Sequence, residues 1–257
     1  MKKLLVLIVV MTFLVPLQAC TLTGQQIQAI QERGVLRVGI KVDVPNFGYY
    51  NPDTSEMEGL EVDIARAIAE DILGDRNAVK FIGVSAETRG PLLDNGEVDI
   101  IIATFTITEE RKKLFNFTEP YYVDQIGFLV RQDSGLSKIN DMDGKTVGIT
   151  QAGTAHDALL EEFATRGLTV TCETYASYPE IKAALMRGEV DAFVVDKSIL
   201  SGYLDDQTMI IDEGFKKQDY GIAVALYNQN LSRHLDSLLN RMKTDGSLDA
   251  LCTKWGV

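Results

Sequence analysis

Two histidines, His156 and His234, and three cysteines at positions 20, 172 and 252 are all that this 257-residue chain offers as thiol or imidazole ligands. No CxxC or HExxH spacing can be assembled from them, which excludes zinc enzymes. GxSxG, a P-loop and a Cys–His pairing are absent too, so the common signatures of acyl and phosphoryl transfer are missing. Positive charge is in the minority. Lys and Arg number 25 against 37 Asp and Glu, a formal charge of -12 that repels a phosphate backbone and excludes a nucleic-acid binder. What the chain does have is an ordinary globular balance, 46% hydrophobic and 24% charged, which excludes disorder and a collagen-like fibre.

The longest apolar run, Leu4 to Val15 with one Thr, follows Lys2 and Lys3 and stops at Pro16. A membrane span needs ~20 apolar residues, so this run reads as the core of an export signal covering residues 1–19. Leu17-Gln18-Ala19-Cys20 resembles the lipobox of bacterial lipoproteins, with Gln18 departing from the usual small or apolar residue. Acylation of the Cys20 thiol would hold the protein at the membrane, while simple cleavage after Ala19 would release it. Removing Lys2 and Lys3 leaves 23 basic against 37 acidic residues, a charge of -14. Export also permits a Cys172–Cys252 disulfide, although both residues fit apolar faces as free thiols.

Beyond the tether the hydrophobic pattern alternates between strand and helix periods. Strands are predicted at 36–40, 79–82 and 98–103 with helices at 60–72 and 91–95, and a second series places strands at 146–149, 168–175 and 190–195 with helices at 155–163 and 179–186. Alternation of this kind implies parallel sheets in an α/β protein. Leu92-Leu93-Asp94-Asn95-Gly96-Glu97-Val98-Asp99 is echoed 92 residues later by Ala184-Leu185-Met186-Arg187-Gly188-Glu189-Val190-Asp191. Eight residues past each glycine stand Thr104 and Asp196, two polar groups at matching strand C-terminal ends, where open α/β sheets bind ligands. Runs at 123–130 and 220–226 read as segments crossing between two lobes, and two terminal helices follow at 230–244 and 247–255. The organisation expected is a signal peptide at 1–19, a tether and first helix at 20–34, a discontinuous first lobe from 35–124 plus 226–257, and a second lobe with the crossing strands at 125–225.

Ala103-Thr104-Phe105-Thr106-Ile107-Thr108-Glu109-Glu110-Arg111 leaves a buried strand and enters a helix, with Thr106 or Thr108 available as its cap. Free N–H groups there attract an anion, and Arg111 in the first turn opposes the helix dipole unless a negative charge compensates it. A bound carboxylate or a surface pair with Glu109 or Glu110 would each serve.

The string ATFTITEERKKLFNFTEPYY, with GLEVDIARAIAEDIL before it and VGITQAGT, SYPEIKAAL and VDAFVVDKSIL after it, resembles the substrate-binding proteins of polar amino-acid ABC transporters. The similarity runs from about Val35 to Trp255 and is greatest to the aspartate/glutamate-binding branch. The resemblance implies a type II periplasmic-binding-protein fold of two lobes that closes over one free amino acid, L-aspartate or L-glutamate, and delivers it to a membrane permease driven by a separate ATPase. It implies Arg111 and the Thr106 N–H for the ligand α-carboxylate, and Asp196 with Thr104 for the α-ammonium. The Gln151–Ala155 turn, through Thr154 and Ala155, adds backbone N–H groups; Ala155 stands where relatives carry a second Thr. Arg89 is implied for the side-chain carboxylate, through its bidentate fork. Lys41 and Tyr178 are weaker candidates for the same pocket, and Lys41 reads equally as a solvated residue. Asn46 departs from the aromatic or Pro common in the loop over the ligand, and Tyr121 and Tyr122 fit either the cleft near the hinge or packing within the lobe. No cofactor or metal is expected, and a monomer is expected. The alternatives are an enzyme on the same fold, such as a cyclohexadienyl dehydratase, and a binding protein for a neutral polar amino acid such as glutamine. A receptor sensor domain is disfavoured because no membrane span follows before Val257.

Overall fold

The computed structural model describes residues 25–257. The expected signal peptide and the Cys20 lipidation site lie outside the described residues. In chain order the elements are α1 (Gln25–Arg33), β1 (Leu36–Ile40), β2 (Asp43–Val44), β3 (Gly48–Asn51), β4 (Glu56–Glu58), α2 (Leu60–Leu73), β5 (Val79–Gly83), α3 (Arg89–Asp94), β6 (Ile100–Ile101), α4 (Glu109–Lys112), β7 (Phe115–Phe117) and β8 (Tyr122–Arg131). They continue as β9 (Lys145–Thr150), α5 (Ala155–Arg166), β10 (Val170–Tyr175), α6 (Tyr178–Arg187), β11 (Ala192–Asp196), α7 (Lys197–Ser201), β12 (Thr208–Ile210), β13 (Phe215–Tyr220), β14 (Ala223–Ala225), α8 (Gln229–Thr244) and α9 (Ser247–Trp255).

Two sheets define two lobes in a type II periplasmic-binding-protein arrangement. The first has the order β5-β1-β6-β14-β7, with β1 parallel to β5 and β6. The second has the order β10-β9-β11-β8-β12, with β9 parallel to β10 and β11. Leu36, Val38 and Ile40 alternate along β1 and are fully buried on one face of the sheet, while Gly39 on the other face lies against Val84, Val98 and Ile101. In α2 the buried Leu60, Ile64, Ile68 and Ile72 recur every fourth residue, which lays one apolar stripe on the first sheet. A small third sheet, β2-β3-β4, was not anticipated; its strands are two to four residues long, too short to impose an alternating pattern.

The sequence repeat is a structural repeat. The Arg37 N–H donates to Asp99 Oδ2 at 2.8 Å and the Asp99 N–H returns to the Arg37 carbonyl at 2.8 Å. Asp191 makes the same reciprocal pair with Thr146, at 3.0 and 2.7 Å. Each aspartate locks the incoming strand to the first parallel strand of its lobe, and each is preceded by a glycine at positive φ, 69° for Gly96 and 72° for Gly188.

The crossing segments differ in part from expectation. β8 leaves the first lobe as predicted and pairs antiparallel with β13, from Tyr122↔Tyr220 to Ile126↔Phe215. The predicted strand at 220–226 is divided: β13 ends at Tyr220, and β14 already belongs to the first sheet, pairing with β6 and β7. The lobe limit expected at 225/226 therefore falls three residues late for that pairing. The polar sequence of β13 and a bulge between Phe215 and Lys217, where Lys216 has φ 47°, hid the strand from a hydrophobic reading. Cys172 and Cys252 are both free thiols, one on β10 and the other on α9.

Candidate ligand-binding site

The strand ends expected to carry chemistry meet between the lobes. Arg89, Thr104 and Thr106 from the first lobe face Thr154, Ala155, Tyr178 and Asp196 from the second around a cavity of about 20 Å³. That is room for about one water sphere, so an amino acid can enter only when the lobes part. Across the cleft the Tyr203 hydroxyl donates to the Asp43 carbonyl, Pro45 packs against Gly202, and Arg111 Nη2 reaches the Ala152 carbonyl at 3.5 Å. A wider groove of about 680 Å³, shared by Arg111, Thr106, Gly153, Thr154 and Gln218, opens outward from the cavity.

The two arginines are arranged as a pair. Arg89 is buried on α3, its Nη1 donating to the Ala103 carbonyl at 2.8 Å, and its guanidinium lies 3.9 Å from the centre of the Phe105 ring. Arg111 on α4 donates Nη1 to the Thr106 carbonyl at 2.7 Å, and its guanidinium lies 4.7 Å from the same ring. Two cations on one aromatic ring gain from its quadrupole but repel each other. Burial and the neighbouring Arg89 charge together push Arg111 down to about 9, against the pull of Asp196. Such a pair calls for an anion. The surface pairing considered for Arg111 is not made among the described residues, since Glu109 takes Lys112 instead, at 2.8 Å. Thr108 is the cap of α4, accepting the Arg111 N–H at 3.2 Å, while Thr106 is buried at the cavity wall.

Asp196 ends β11, buried, with Oδ2 accepting from the Tyr220 hydroxyl at 2.5 Å. Burial pushes its carboxyl up to about 7, opposed by that hydrogen bond and reinforced by Asp124. An ammonium set beside it would restore its charge. Thr154, whose hydroxyl donates to Gln218 Oε1 at 2.8 Å, precedes α5. Ala155 begins that helix and is buried at the cavity.

Three candidates sit differently from the rest. Lys41 is buried but does not line the cavity: its Nζ pairs with Asp43 Oδ1 at 2.9 Å and lies 4.7 Å from the centre of the Tyr178 ring, with Tyr178 at the cavity wall. The solvated reading of Lys41 is therefore corrected, because the Asp43 pairing and the aromatic cover hold it inside. Tyr121 and Tyr122 pack within the protein, Tyr121 donating to Glu61 and Tyr122 meeting Phe47 edge-on at 5.2 Å. Sequence reasoning missed Phe105, Gln218, Tyr220 and Glu61. The first was visible only as one residue of the ATFT string, and the rest act through contacts made by distant segments.

Two α/β lobes closing on a buried, charged cavity define a two-lobed solute-binding protein. The chain belongs to the bacterial extracellular solute-binding proteins, family 3, whose profile matches residues 36–257. It is 34% identical over 229 residues to the ABC transporter glutamine-binding protein GlnH of Bacillus subtilis (strain 168), covering 88% of this chain and 83% of that one. It is 31% identical over 249 residues to the glutamate-binding protein GluB of Corynebacterium efficiens, covering 90% and 82%. Among solved structures, the P235GK mutant of ArgBP from T. maritima superposes with a TM-score of 0.80 at 29% identity, covering 90% of this chain and 98% of that one.

Proposed function

We propose that the protein binds a free acidic amino acid, L-aspartate or L-glutamate, between its lobes and delivers it to an ABC permease driven by a separate ATPase. The observation that carries this reading is the pairing of Arg89 and Arg111 on the Phe105 ring opposite a single cavity carboxyl, Asp196. Two cations and one anion complement a ligand with two carboxylates and one ammonium. Lys41 does not enter the balance, because Asp43 already neutralises it. In this reading Arg111 and the Thr106 and Thr154–Ala155 backbone hold the α-carboxylate, Asp196 and Thr104 take the α-ammonium, and Arg89 takes the side-chain carboxylate beside Tyr178. The names of the relatives support an amino-acid ligand and include both glutamine and glutamate.

The test is calorimetry on protein stripped of ligand by unfolding and refolding. L-aspartate or L-glutamate should bind more tightly than L-asparagine and L-glutamine. Tighter binding of both amides would overturn the acidic reading in favour of a neutral ligand. The membrane anchor is proposed on Cys20, since a thiol at the new N-terminus carries the lipid. Cys20→Ser should abolish labelling by a fatty-acid analogue in a bacterial host, and equal labelling of both forms would place the anchor elsewhere.

A second reading, a lyase acting on a cyclohexadienyl substrate, draws on the Asp196 carboxyl, which burial brings to about 7, a range suited to proton transfer. Turnover of prephenate or arogenate by the same sample would favour it over transport.

A further inference from the structure

The proposed function leaves the carboxyl of Glu61 unused. Glu61 lies in the first turn of α2, wholly buried, and its Oε1 accepts from the Thr104 N–H at 2.5 Å and from the Tyr121 hydroxyl. The Thr104 N–H belongs to the same peptide group as the Ala103 carbonyl, which accepts Nη1 of Arg89 at 2.8 Å. One peptide therefore stands between a carboxyl and a guanidinium, its N–H facing the first and its C=O the second, so that each hydrogen bond polarises the other. Thr104 also has φ 42°, a left-handed conformation that a β-branched residue adopts only when its surroundings impose it. The bond to Glu61 Oε1 holds the N–H of this residue in place. The Glu61 Oε2 and the Nε of Arg89 are both buried without a hydrogen-bond partner among the described residues.

We infer that Glu61 is a positioning residue that orients Arg89 through the 103–104 peptide and, through its charge, sets how strongly the site prefers a carboxylate over an amide side chain. This rests on the amino-acid reading of the cavity given above. With Glu61 neutral, Arg89 and Arg111 exceed Asp196 by one positive charge, which an acidic amino acid balances. With Glu61 ionised the set balances by itself, and a zwitterion with an amide side chain meets less competition. The charged or titratable groups facing Glu61 are Arg89 from α3, Lys41 from the segment after β1 with its partner Asp43, and Tyr121 ahead of β8; Asp196 stands across the cavity. Burial pushes the Glu61 carboxyl up to about 7, against the hydrogen bonds from Tyr121 and Thr104, so its charge changes near neutral pH.

Glu61→Gln keeps an oxygen acceptor for the Thr104 N–H and the Tyr121 hydroxyl while removing the charge. Calorimetry with L-glutamate and L-glutamine on the ligand-stripped protein should show the acid-to-amide affinity ratio falling about 10-fold between pH 6 and pH 8. Asp196 meets the ammonium of both ligands and largely cancels from that ratio. In Glu61→Gln the ratio should stay at its pH 6 value across the range. A pH-dependent ratio that survives the substitution, or at pH 8 an equal loss for both ligands that leaves the parent's ratio unchanged, would overturn the inference and leave Glu61 a structural residue only. A ligand-free arm follows the Thr104 amide resonance by NMR through the same pH range, since that N–H reports the ionisation of its acceptor. Its midpoint should rise in Arg89→Met, because the cation that favours ionised Glu61 is gone, and an unmoved midpoint would overturn the coupling. If neither amino acid bound, the acidic reading would fail while the resonance still decided the coupling.

Discussion

At the scale of single residues, Arg111 and Arg89 share a ring but not a task. Arg111 stands at the outer groove and reaches Ala152 of the opposite lobe, so removing it should weaken every amino acid alike. Arg111→Ala is expected to reduce affinity by 100-fold or more, since a ligand carboxylate enclosed between the lobes would lose its charge partner at ~3–5 kcal/mol, with the circular dichroism spectrum unchanged. Retained affinity would remove Arg111 from the site. Arg89→Met keeps an unbranched apolar stem and removes the guanidinium, with its charge, its place over Phe105 and its bond to the Ala103 carbonyl. Aspartate and glutamate should then lose roughly 100-fold while any asparagine or glutamine binding falls far less, and equal losses would make Arg89 structural. Most of these residues were legible because strand C-terminal ends and helix starts are local features: Thr104, Thr106, Thr154 and Asp196 all reach the cavity from such positions. Glu61 was not. An acid in a first helical turn is ordinary, favoured by the helix dipole in any exposed helix, and only the approach of Thr104 and Tyr121, 43 and 60 residues away, makes this one a buried acceptor.

At the scale of elements, the junction leading into α2 is the most constrained by geometry. Gly59 precedes the helix at φ 128°, and a Cβ built on it would lie 2.1 Å from the Phe47 carbonyl oxygen, a backbone atom that cannot rotate away. Two hydrogen bonds fix this approach: the Leu60 N–H donates to the Asn46 carbonyl at 2.7 Å and the Glu61 N–H to the Phe47 carbonyl at 3.0 Å. Gly59→Ala should therefore destabilise the fold by about 2–4 kcal/mol, from a strained φ together with overpacking. Because Glu61 is displaced with its helix, ligand affinity should fall as well. Chemical denaturation checks the first and calorimetry the second; a variant with wild-type midpoint would show that the Phe47 loop yields freely. The major helices and parallel strands were readable since each carries a full period of apolar residues. β13 and the β2–β4 sheet were not, being polar or short and held by pairing with segments that the local pattern does not name.

At the scale of the whole molecule, folding buries carboxyls that would ionise freely in an unfolded chain, and this gives stability a pH dependence with a definite sign. Burial raises Glu61 and Asp196 each to about 7, and partly buried Asp236 is shifted the same way. An unfolded Asp or Glu titrates near 4, so between about pH 4 and 7 the folded protein binds more protons than the unfolded chain. Their contribution is complete below the unfolded value and is lost as pH rises through the folded one. The ligand-stripped protein should accordingly melt at a lower temperature at pH 8 than at pH 5, by about 2–8 °C for a shift of one to two kcal/mol. The double variant Glu61→Gln, Asp196→Asn should lose most of that slope, because neither side chain then exchanges a proton on unfolding. Adding the amino acid opposes the trend in the parent protein: its ammonium beside Asp196 favours the ionised carboxyl, so binding near pH 6 releases a proton. Calorimetry in two buffers of different ionisation enthalpy reads that release as a difference in apparent heat. Equal heats in both buffers, or a melting temperature that climbs from pH 5 to pH 8, would show that these carboxyls are already ionised in the closed protein.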